Sequence, residues 1–115
     1  MHVKIYHNPR CSKSRQTLQL LQEHVDEPEI FEYLKTPPTA DELRGILDML
    51  GIGARELMRR KEKEYKESGA NNPDLSDEEL IDLMVTHPKL IERPIVIKDG
   101  KAAIGRPPEQ VLDIL

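Results

Sequence analysis

The chain of 115 residues contains one cysteine, Cys11. An internal disulfide is therefore impossible, and so is any cycle between a dithiol and a disulfide within the chain. A lone thiol persists in a reducing compartment, so the expected location is the cytoplasm. No apolar run approaches the ~18 residues that a membrane helix needs, and the opening MHVKIYHNPR lacks the apolar stretch of a secretion signal. Repeats, Gly/Ser linkers and low-complexity tracts are also missing, which leaves a single continuous domain over residues 1–115. A net charge of −4 argues against broad nucleic-acid binding, without excluding a local cationic pocket. No metal site is expected, because no second cysteine joins His7 and Cys11 to complete a zinc set.

What is present is periodic. Val3 to Tyr6 is a β-prone run, Asn8-Pro9 is a turn, and Leu18, Leu21 and Val25 follow at helical spacing, so Cys11 falls at a strand-to-helix junction. Ile30 to Leu34 predicts a second strand. Thr39-Ala40-Asp41-Glu42 is a capping box that opens a helix to Leu50, with Leu43, Ile46, Leu47 and Leu50 on its core face and Gly51 as its stop. Residues 52–91 read as mainly helical, with a second capping box at Ser76 to Glu79 ahead of Leu80, Leu83 and Met84. Ile95–Lys98 and Lys101–Ile104 flank Asp99-Gly100, the signature of a type I′ hairpin, and a last helix starts after Arg106-Pro107-Pro108. The order β-α-β, helices, β-hairpin, α predicts an α/β fold with a mixed four-stranded sheet and flanking helices.

A cysteine at a helix start meets unsatisfied N–H groups and the positive end of the macrodipole, which favour its thiolate. His7, Arg10, Lys13 and Arg15 are candidates to add to that field. The same N–H groups suit a tetrahedral oxyanion. The residues alone leave two readings of Cys11 open, a nucleophile or a buried structural thiol. Two motifs are excluded: position 14 is Ser14, so there is no Cys-x-x-Cys pair, and position 17 is Thr17, so the arginine of a tyrosine-phosphatase loop is missing.

The blocks Y-H-N-P-x-C-x-x-S-R, L-x-R-R, R-P-I-V and R-P-x-E-x-V-L-D-I-L, spread from Val3 to Leu115, resemble the glutaredoxin-coupled arsenate reductases. The resemblance implies a thioredoxin-like fold with an inserted helical subdomain at about residues 36–91. It implies a monomeric cytoplasmic oxidoreductase that turns arsenate into arsenite, with no bound cofactor, glutathione as co-substrate and glutaredoxin as partner. Cys11 matches the family's nucleophile, His7 a histidine that lowers its pKa, and Ser14 a serine whose hydroxyl can bond the thiolate. Arg15 matches a residue of the same loop. Arg59, Arg93 and Arg106 match three arginines that hold the oxyanion, with Arg60 adjacent to the first, and Pro94 matches a cis proline beside the cysteine. Two further readings stay open: a glutathione-dependent thiol oxidoreductase of the same fold with another substrate, and a non-enzymatic module like related transcription regulators.

Overall fold

The computed structural model describes residues 2–115. Strands Val3–Tyr6 (β1), Glu29–Phe31 (β2), Ile95–Lys98 (β3) and Lys101–Ile104 (β4) form a sheet in the order β2-β1-β3-β4. β1 pairs parallel with β2 and antiparallel with β3, and β3 with β4 makes the hairpin. Asp99 and Gly100 both have positive φ, 49° and 79°, as a type I′ turn requires. The sheet is mixed, as its sequence order predicts.

The helices are Ser12–His24 (α1), Ala40–Leu50 (α2), Lys63–Glu67 (α3) and Asp77–Thr86 (α4), with 3-10 segments at Ala54–Leu57, Pro88–Leu90 and Pro108–Ile114. Among the described residues no helix is long and apolar enough to cross a membrane. The chain divides into two compact units, one made of residues up to Thr36 together with Arg93–Leu115, the other of Pro37–Glu92.

The first unit buries Val3, Ile5, Leu21, Val96 and Val111 in one cluster, so α1 and the terminal 3-10 segment pack on the same face of the sheet. Three expectations change here. β2 ends at Phe31 rather than Leu34, because the His7 N–H closes the ladder on Phe31 O and the chain then turns, with Lys35 and Thr36 N–H both donating to Glu32 O. The last helix is 3-10 rather than α. Pro107 and Pro108 supply no N–H, and Gln110 N–H donates to Pro107 O, three residues back. A 3-10 turn stacks every third side chain, which puts Pro108, Val111 and Ile114 on the face turned towards the core. Third, residues 52–91 are less continuously helical than their composition suggests, since Gly51 and Gly69 adopt left-handed φ of 69° and 84° and stop helices there.

The second unit shows both predicted capping boxes, Thr39 with Glu42 and Ser76 with Glu79. α2 buries Leu43, Ile46 and Leu47, while Leu50 is only half-buried; α4 buries Leu80, Ile81 and Met84. The Arg55 guanidinium donates to Ala70 O at 2.7 Å and Asn72 O at 2.8 Å, which fixes the loop between α3 and α4.

Candidate active site

β1 ends at Tyr6, paired with Ile95 of β3, and Ile95 in turn pairs with Ile104 of β4. The segments just beyond these three residues therefore emerge at one end of the sheet. They carry His7 to Cys11, Arg93-Pro94 and Arg106-Pro107. Both X-Pro bonds, Arg93-Pro94 and Arg106-Pro107, are cis.

The turn after β1 is built by Asn8. Its side-chain Oδ1 accepts the Arg10 N–H at 3.0 Å and its carbonyl accepts the Cys11 N–H at 3.0 Å, so the chain reverses within three residues. Cys11 is thereby the N-cap residue of α1, with extended backbone (φ −96°, ψ 124°) and 9% exposure. The Ser14 and Lys13 N–H groups in the first turn of α1 act on its Sγ and favour the charged form.

Burial pushes the Cys11 thiol up, but the Ser14 N–H, the Arg93 guanidinium, the Lys13 N–H and the Arg106 guanidinium together outweigh it and hold the thiol below its ordinary value of 9.0. A thiol in purely apolar surroundings would shift the other way, so the polar groups around Cys11 outweigh its burial. Arg93 is itself buried at 9% exposure, and Arg106 is exposed. Pro94 is buried between them in the chain's path.

His7 and Ser14 are both buried, and His7 Nδ1 lies 2.6 Å from Ser14 Oγ. The same Oγ accepts the Asn8 N–H at 3.0 Å. Burial pushes the His7 pKa down from 6.5, Glu32 pulls it back up and Arg15 pushes it down again, with a net lowering. The folded chain thus makes the His7 ring harder to protonate than a free imidazole. The ring meets Cys11's loop through Ser14. Arg15 Nη1 donates to Pro9 O at 2.9 Å and braces the loop from outside.

Arg59 belongs to the second unit. It pairs with Glu62, and its Nε lies 4.0 Å from Glu92 Oε1. Its neighbour Arg60 is exposed. Three residues were not legible as site residues from the sequence. Glu32 carries the one carboxylate that raises His7. Thr17, noted there only as a missing arginine, is fully buried, with Oγ1 donating to Lys13 O. Gly105 donates its N–H to Pro94 O at 2.9 Å. The glycine between a hydrophobic strand and Arg-Pro was the one available signal.

The model of the ArsC family matches residues 6–114. The uncharacterized protein YfgD of Escherichia coli K12 is 61% identical over 114 residues, covering 98% of this chain and 96% of that protein. A protein of Neisseria meningitidis named arsenate reductase is 49% identical, covering 98% of this chain and 97% of its own length. Among solved structures, an arsenate reductase from Vibrio cholerae matches with a TM-score of 0.96 at 52% identity, covering 100% of this chain and 98% of that one.

Proposed function

The chain belongs to the ArsC family, and from that premise we propose that it is a cytoplasmic, monomeric arsenate reductase that works through a single cysteine, with glutathione as co-substrate and glutaredoxin as partner. The observation that carries the reading is the setting of Cys11 at the start of α1, where helix N–H groups, Arg93 and Arg106 hold its thiol below the ordinary value despite burial. The arginines that favour a thiolate also suit a tetrahedral oxyanion, because a planar guanidinium binds two of its oxygens at once.

In this reading arsenate docks at the start of α1 against Arg93 and Arg106. Arg15 keeps N–H donors beyond the one given to Pro9 O and is assigned to the same anion. Arg59 is assigned to it by the family resemblance alone. Cys11 Sγ attacks arsenic, an S–As bond forms, and one arsenic oxygen leaves as water after protonation. The helix N–H groups and guanidiniums stabilise the charge throughout. Glutathione thiolate then attacks Cys11 Sγ: an S–S bond forms, the S–As bond breaks, and its electron pair stays on arsenic, which passes from the pentavalent to the trivalent state. Arsenite leaves. A Cys11–glutathione disulfide remains, and because the chain holds no other cysteine, an external thiol must clear it, the role given to glutaredoxin. His7 and Ser14 hold the loop, and Pro94 lines it.

The test is a single turnover with arsenate and glutathione, followed by intact mass. A glutathione adduct on Cys11 with one arsenite released per chain supports the reading. No adduct from arsenate and glutathione, with an adduct formed when glutathione disulfide is supplied as oxidant, moves it to a glutathione-linked thiol oxidoreductase with another substrate, which the ion pairs of Arg59 to Glu62 and Glu92 would favour.

A further inference from the structure

Gly105 links β4 to Arg106, and its N–H bond to Pro94 O ties the two ends of the hairpin together one residue inside Arg93 and Arg106. Its backbone is not left-handed, so conformation does not demand glycine there. Space does. A Cβ at this position would stand 2.6 Å from Thr17 Oγ1, 2.8 Å from Pro94 Cγ and 2.9 Å from Thr17 Cγ2, all closer than the 3.0 Å below which something must shift.

Neither neighbour yields easily. Thr17 is β-branched, fully buried in α1, and tethered by its Oγ1 to Lys13 O at 2.8 Å, with Gly105 O a further 3.4 Å away. The Pro94 ring is buried and rigid. Thr17 lies on the helix that Cys11 caps, and Lys13 supplies one of the N–H groups acting on the sulfur. The contact thus joins the element that carries the thiol to the element that carries both arginines.

We propose that Gly105 and Thr17 form a positioning contact, in which the missing Cβ of Gly105 lets the hairpin close onto α1 and thereby sets Arg93 and Arg106 against Cys11. Coulomb attraction weakens with separation, so a hairpin pushed outwards favours the thiolate less. The other charged groups of this region are Arg10 in the turn, Lys13 and Arg15 on α1 and Glu32 after β2, the last two acting on His7. They do not ride on the hairpin. The proposal rests on Cys11 as the reacting group but not on arsenate as substrate.

The test is thiolate ultraviolet absorbance against pH, read as the difference from Cys11→Ser at each pH, which removes the ionisation of the three tyrosines and leaves that of the one cysteine. Gly105→Ala is expected to raise the apparent pKa by about one unit, read also as about tenfold slower alkylation below the pKa. Thr17→Ala placed beside Gly105→Ala removes both clashing threonine atoms and is expected to restore at least half of the shift. Folded Gly105→Ala with an unchanged pKa, or with a shift the second substitution does not reverse, overturns the proposal. Should Gly105→Ala not fold, Thr17→Ile narrows the same gap from the helix side. It is expected to raise the pKa in the same direction, and an unchanged value overturns the proposal. A purely structural role would lower the melting temperature without moving the titration. Absence of arsenate turnover in the wild type, with these shifts present, would sink the functional reading and leave the contact standing.

Discussion

His7 Nδ1 and Ser14 Oγ lie 2.6 Å apart, both buried, and the same Ser14 oxygen accepts the Asn8 N–H. One hydroxyl therefore ties the end of β1 to the first turn of α1. Ser14→Ala strands a buried imidazole nitrogen and a backbone N–H, which costs about 1–3 kcal/mol of stability. Urea denaturation of the variant checks this; an unchanged midpoint and slope contradicts it.

Burial makes protonation of His7 harder in the folded chain than in the unfolded one. Its folded pKa is lowered, so the unfolded state binds the extra proton first as pH falls through 6.5. The stability contribution is present above 6.5 and is lost as pH drops towards the folded value. His7→Asn is expected to flatten the stability profile in that window. Denaturation midpoints measured across pH 5 to 8, as an order-of-magnitude window around the ordinary histidine range, decide it.

Arg93 acts on Cys11 more strongly than Arg106 and is buried where Arg106 is exposed. Arg93→Gln is therefore expected to raise the thiol pKa more than Arg106→Gln does, and added salt should blunt the Arg106 effect more than the Arg93 effect. Titration of the three proteins at low and high salt reads this directly. Equal shifts with equal salt sensitivity would refute the ranking.

Local signals carried most of the fold. The Thr39 and Ser76 boxes, Gly51 and Asp99-Gly100 each encode their geometry within four residues, and each appears as read. The failures were those decided by distant partners or by missing donors: β2 stops where β1 runs out of ladder, and the prolines at 107 and 108 turn an amphipathic segment into a 3-10 helix. At the candidate site, the place of Cys11 at the strand-to-helix junction was legible, because the Asn8-Pro9 turn and the helical spacing after it are local signals. His7 was legible as a neighbour of Cys11 but not as a partner of Ser14, since a spacing of seven residues across a turn does not say which atom it meets. The Gly105–Thr17 approach joins residues 88 positions apart, and no local pattern encodes it.

Both capping boxes belong to the second unit, and each satisfies two otherwise orphaned donors. Thr39→Ala and Ser76→Ala are each expected to cost about 1 kcal/mol, measured by thermal or urea unfolding. Losses below a few tenths of that would show that solvent caps these helices equally well.

The measurement that bears most directly on the function is arsenite formation from arsenate by wild-type protein and by Cys11→Ser, with glutathione present and glutaredoxin supplied or withheld. A single-cysteine nucleophile requires sustained turnover by the wild type only when both thiol partners are present, and none by Cys11→Ser. Turnover that survives Cys11→Ser, or wild-type protein inert towards arsenate with both partners supplied, would contradict it.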